Sequence, residues 1–149
     1  MNHGRMTGIA AWAIIWLAVA PVAAAQTVAP APFEGVFAFQ TDNLGLDDGT
    51  SILSGAVVST MTAAGTYRVE LLAVQYNRPA TGEQTRVMAR QLCSGTPNGE
   101  EIVITCQLLE TNSANYAPDN FRISRDGGTA VWNGELSGNG AAVVFVQTK

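Results

Sequence analysis

The stretch TRVMARQLCSGTPNGEEIVITCQLLE, residues 85–110, decides the fold. Its first ten residues alternate, with Val87, Ala89, Gln91 and Cys93 on one side and Arg86 and Arg90 on the other. Its last ten place Ile102, Ile104, Cys106 and Leu108 together. A period of two belongs to a strand, whose successive side chains point to opposite faces. Between the two runs, Pro97-Asn98-Gly99 is turn chemistry, because glycine and asparagine tolerate the positive φ of tight hairpins. An antiparallel pairing that sets Cys93 against Cys106 centres the turn between Gly99 and Glu100, beside those turn residues. The spacing therefore predicts a hairpin locked by a Cys93–Cys106 disulfide, which contributes about 3 kcal/mol in the chain-entropy account.

The same alternation extends outward. Gly35–Gln40 sets Phe37 and Phe39 on one face, and Ser51–Thr60 is rich in β-formers, with Gly55 read as a bulge. Thr66–Gln75 places Tyr67, Val69, Leu71 and Ala73 on one side, with Arg68, Glu70, Leu72 and Val74 on the other. Asn120–Arg125, Thr129–Ser137 and Ala141–Gln147 complete the series, separated by Asp126-Gly127-Gly128 and Ser137-Gly138-Asn139-Gly140. No window offers a capped amphipathic helix. The pattern predicts an all-β domain over 33–149: an antiparallel meander of about eight strands closing into a small up-and-down, lipocalin/avidin-like barrel. A β-sandwich is the alternative. Leu72 and Val74 stand out as apolar residues on an outer face, to be covered by the leader or by a second subunit.

The first 25 residues read as a secretory signal: a short start with His3 and Arg5, an apolar run from Ile9 to Val19, and Ala23-Ala24-Ala25 before the cut. An uncleaved anchor is the other reading of this apolar run. Residues 26–32 form a flexible Pro/Ala leader. Cleavage after Ala25 removes His3, Arg5, Trp12 and Trp16, so the remaining chain has no histidine, one tryptophan (Trp132) and one lysine (Lys149). Its seven basic residues stand against twelve acidic ones, a formal charge of −5. That balance argues against a nucleic-acid partner. The membrane is met only through the signal peptide, and the location expected is periplasmic or secreted. In such an oxidising compartment an even pair of cysteines reads as a disulfide.

The same inventory limits the chemistry. Without histidine there is no Ser-His-Asp triad, Cys-His pair or imidazole ligand, and two oxidised cysteines supply neither nucleophile nor zinc site. No metal or cofactor is expected. Carboxylate-only hydrolysis would draw on Glu70, Glu101, Glu110, Asp119 or Glu135. Each is more simply a solvated charge, so the expectation is no enzyme. Asp42–Gly49 (DNLGLDDG) is the most acidic loop; its spacing departs from the calcium-loop pattern, which leaves calcium as the lesser reading. Asn112–Asn120 (NSANYAPDN) is a long polar loop in which Tyr116, Pro118 and Asp119 are binding candidates, Tyr116 as a rigid aromatic anchor. Gln91 is a polar residue on an inward face, a handle for a ligand together with Tyr67. Trp132 reads as core or barrel-end packing.

In length, meander and hairpin disulfide, Phe33–Lys149 resembles the broad group of small secreted bacterial barrels, which includes lipocalin-like, avidin-like and periplasmic protease-inhibitor domains. The resemblance implies a binding role on a rigid barrel. Avidin-like sites use several tryptophans where this chain keeps Trp132, and Gly35-Val36-Phe37 lacks the tryptophan of a lipocalin-like Gly-x-Trp element, so no functional residue is carried over. The expectation is an exported binding or interaction module contacting an envelope macromolecule, such as an enzyme it inhibits. A barrel for a small apolar ligand is the alternative.

Overall fold

The computed structural model describes residues 32–45 and 49–148. The signal segment, the leader before Pro32 and Asp47 and Asp48 of the acidic loop lie outside the described residues. Eight strands follow in order: β1 (Gly35–Thr41), β2 (Thr50–Met61), β3 (Tyr67–Arg78), β4 (Thr85–Asn98), β5 (Glu101–Thr111), β6 (Phe121–Arg125), β7 (Val131–Leu136) and β8 (Ala142–Gln147). Each pairs antiparallel with the next, and β1 pairs with β8, so the meander closes into a barrel rather than a sandwich. Closure pairs every strand on both sides, although β5 beyond Ile104 has no partner on β6.

Side-chain parity sorts the residues. Phe37, Phe39, Leu53, Val57, Val69, Leu71, Ile102, Ile104, Phe121, Ile123, Val143 and Phe145 are buried inside. Their rings interlock: Phe39 stacks on Phe145 at 5.2 Å, and Phe121 meets Phe145 edge-on at 5.4 Å. An eight-stranded barrel is just wide enough for such side chains to fill it. Gly55 is no bulge, because β2 keeps an unbroken register with both neighbours. It stands opposite Phe39, and a Cβ there would sit 1.9 Å from the Leu72 carbonyl oxygen and 2.8 Å from the Phe39 ring. The register shift falls instead between Arg90 and Gln91, where Leu109 has no counterpart on β4.

The central hairpin is as the spacing requires. Cys93 pairs with Cys106 and is bonded to it, with Cα atoms 3.9 Å apart. Asn98 pairs with Glu101, so the turn is Gly99-Glu100, and Pro97 and Asn98 belong to β4. Gly99 has φ +65°, which glycine adopts at no steric cost.

The two ends of the barrel differ. The connections after β2, β4 and β6 are short and share their end with Phe33, which is fully buried and packs on Phe37 (4.4 Å) and Trp132 (5.2 Å). The Phe33 carbonyl accepts from Ser59 Oγ at 2.5 Å, fixing this plug to the wall. At the other end stand the connections 42–49, 79–84, 112–120 and 137–141, the first three longer than any at the plugged end. Outside, Arg68 pairs with Glu70 along β3 and Arg90 with Glu110 across to β5, all well exposed. Such pairs stabilise little. Leu72 is 43% exposed, whereas Val74 is half-buried.

Candidate functional site

The loop-bearing end is polar where the opposite end is aromatic. β6 is shorter than β5 and pairs with it only over Glu101–Ile104, opposite Phe121–Ser124. Beyond Ile104 the wall would stand open, and the 112–120 loop covers the gap. Asn120 Oδ1 accepts the Cys106 N–H at 2.8 Å, and the Asn120 carbonyl accepts the Ser137 N–H at 2.7 Å. These bonds satisfy backbone groups that a missing strand would leave unpaired. The loop then turns Asp119 into the barrel, where it is only 8% exposed.

Gln91, on β4 at the register shift, meets it there. Gln91 Nε2 donates to Asp119 Oδ2 at 2.5 Å, and Gln91 Oε1 accepts the Asp119 N–H at 2.8 Å. The Tyr116 hydroxyl donates to the same Oδ2 at 2.5 Å. Burial pushes the Asp119 carboxyl above its ordinary range, and the bonds from Tyr116 and Gln91 act against that shift. Burial, then the adjacent carboxylate, holds the Tyr116 phenol far above its ordinary range, so it remains a donor. Three of the four binding candidates read from the sequence thus form one network. Pro118 stays exposed on the rim. Tyr116 is half-buried, with its ring packed against the core. Tyr67 is not Gln91's partner: it lies at the plugged end, 6.1 Å from Phe33. Trp132 is buried core at that same end.

Above this network lies an open cavity of about 420 Å³, lined by residues of all the longer connections' strands or loops, including Leu44, Asn77, Tyr116, Asp119 and Asn139. Asn139 Nδ2 donates to the Leu44 carbonyl at 3.2 Å, tying the 137–141 connection to the acidic one. Asn43 organises the described part of that acidic loop, its Oδ1 accepting from Ser51 N at 2.9 Å. Gln75 and Asn77 also line an adjoining depression of about 250 Å³. There Gln75 Nε2 donates to Asn77 Oδ1 at 2.7 Å and Ser51 Oγ to the same oxygen at 2.5 Å, while Asn77 Nδ2 reaches Thr85 Oγ1 at 3.3 Å. This second cluster was not singled out from sequence. Its signal was present: Gln75 and Asn77 continue the inward parity of Tyr67, Val69, Leu71 and Ala73.

The carboxylates read from sequence separate. Glu70 and Glu110 are exposed in their ion pairs, Glu135 is exposed on β7 opposite Arg122, and Glu101 is half-buried beside the hairpin turn. Asp119 alone of the five enters the barrel, and among the described residues no second acid lines its cavity. Comparison with family models, curated proteins and solved structures finds no match to this chain.

Proposed function

We propose that the protein is an exported binding module that engages a protein partner of the cell envelope, such as an enzyme it restrains, through the loop-bearing end of its barrel. One observation carries the reading: the longer connections gather over an open polar mouth, while aromatic side chains fill the interior beneath it. Rigid scaffolds that display loops at one end commonly do their work there. The Cys93–Cys106 disulfide is consistent with an oxidising, exported location. A small-ligand reading has the cavity volume in its favour, since ligand pockets run from about 300 Å³ upward. The filled aromatic interior leaves that ligand only a shallow polar seat, not a deep apolar one.

Site-directed photo-crosslinking in the native envelope tests the reading. A crosslinking residue at Asn115, on the mouth, should give a discrete adduct with one protein. The same residue at Ala63, in the turn at the plugged end, should not. No adduct at Asn115, or equal adducts at both ends, would refute it.

A further inference from the structure

The charge arrangement at the mouth says what the partner should present there. Among the described residues, Asp119 is the only charged one lining the 420 Å³ cavity. The described arginines are occupied or placed elsewhere. Arg68 and Arg90 bind Glu70 and Glu110 on the outer wall. Arg125 Nε donates to the Thr129 carbonyl at the plugged end, Arg122 stands opposite Glu135, and Arg86 reaches Met88 on the outside. Arg78 and Glu83 line the adjoining depression, not this cavity. Among the described residues, then, Asp119 is a buried carboxylate with no cationic partner.

Its two oxygens differ. Tyr116 and Gln91 both donate to Oδ2, and Oδ1 accepts nothing from the described residues. No side-chain oxygen or nitrogen among the described residues is both sealed from solvent and unpartnered, so Oδ1 opens to the cavity. An ionised carboxylate held mostly out of water lowers its energy by taking a charged donor. The rest of the lining suits the same guest. The Tyr116 ring offers an aromatic surface of the kind that attracts cations, and the Gln75 and Asn139 side chains bring amide oxygens with accepting capacity left.

Resting on the reading that the mouth is the binding end, we propose that the mouth seats a cationic side chain of the partner, an arginine or a lysine, against Asp119 Oδ1. The recognised chemistry is an ammonium or guanidinium group, which a small free amine could also present.

A titration of the chain beginning at Gln26, followed by amide NMR, tests this with three probes: acetyl-Gly-Arg-Gly-amide, the same tripeptide with lysine, and the same with citrulline, which keeps the shape of arginine without its charge. At least one charged tripeptide should shift the Gln91 side-chain amide and the Asp119 backbone amide, and citrulline should bind at least about tenfold more weakly. Asp119→Asn is a conservative control. Its carboxamide oxygen can still accept from Tyr116 and Gln91, so the loop stays latched while the charge is gone. It should lose at least about tenfold in affinity for the charged tripeptide, and Glu110→Gln on the outer wall should lose none. Equal binding of citrulline, undiminished binding by Asp119→Asn, shifts confined to the Arg90–Glu110 surface, or no binding by any probe would overturn the inference. Agmatine, a free guanidine, separates the sources: binding as tight as the tripeptide's would keep the cationic seat but assign it to a small amine and refute the protein-partner part. Conversely, a crosslinked partner at Asn115 with no response to any cation would sink this inference and leave the binding end standing.

Discussion

Gln91→Leu is the most informative single change in the molecule. Gln91 is 1% exposed and makes the two bonds that join the 112–120 loop to the barrel wall through Asp119. One goes to a buried carboxylate, a class worth about 1.5–3 kcal/mol, and the other to a backbone N–H, worth about 1 kcal/mol. Leucine fills nearly the same space and recovers some apolar burial, so we expect a loss of about 3 kcal/mol at neutral pH. Urea unfolding reports it directly, because Trp132 is the only tryptophan after Ala25 and is buried. In an Asp119→Ala background the same change should cost only about 1 kcal/mol, since the bond to the carboxylate is already gone and only the one from the residue-119 backbone N–H is left to lose.

The pH dependence supplies a second check, with a definite sign. The Asp119 carboxyl titrates higher in the fold than in the unfolded chain, because burial disfavours the charge. Its contribution to stability is therefore fully present below the ordinary carboxylate range and is lost as pH rises through the raised value. Gln91 donates to the ionised form, so removing it raises that value further. The mutational loss should then be larger at about pH 7 than at about pH 3. A loss under about 1 kcal/mol, an equal loss in the Asp119→Ala background, or a larger loss at acid pH would refute the latch.

Three further outcomes follow from the same geometry. Asp119→Asn should be more stable than the parent chain at neutral pH and should lack the parent's decline in stability through the Asp119 titration; urea midpoints across pH measure both. Gly55→Ala should cost about 3 kcal/mol or more, because the new Cβ would meet the Leu72 carbonyl at 1.9 Å and neither strand can step aside; thermal unfolding would show it, and a near-neutral result would mean that β2 and β3 are less closely apposed. Replacing Cys93 and Cys106 together by alanine should lower stability by about 3 kcal/mol without changing the strand content seen by circular dichroism, since the Gly99-Glu100 turn and the β4–β5 ladder set the register without the bridge.

The wall of this barrel was legible because every decision in it is local. Alternation placed Phe37, Val69, Ala89 and Ile104 inside, glycine turns separated the strands, and Cys93 and Cys106 shared an inward parity that fixed the central hairpin to the residue. Local reading erred where a backbone position had two explanations. Gly55 in a strand reads equally as a bulge or as room for a ring, and only the neighbouring Phe39 decides. Pro97 reads as a turn residue, yet it lies in β4 one residue from its end, beyond Gly95, the last β4 residue paired with β3.

The mouth was half legible, and the missing half is long-range. Gln91 and the Asn112–Asn120 loop could each be singled out from sequence, but nothing local joins residue 91 to residue 119. That union depends on β6 being too short to back the upper part of β5, which forces the loop inward to cover the open wall. Once there, a carboxylate is an unexpected choice. Asparagine would accept from Tyr116 and Gln91 equally well and would carry no charge to be buried. Carboxyl groups whose titration burial displaces in this way concentrate at functional sites. Asp119 is thus the residue at which the demands of folding and those of binding part company. A chain selected for stability alone would place an uncharged acceptor there, and the charge that remains is the feature for which a partner's cation gives a physical reason.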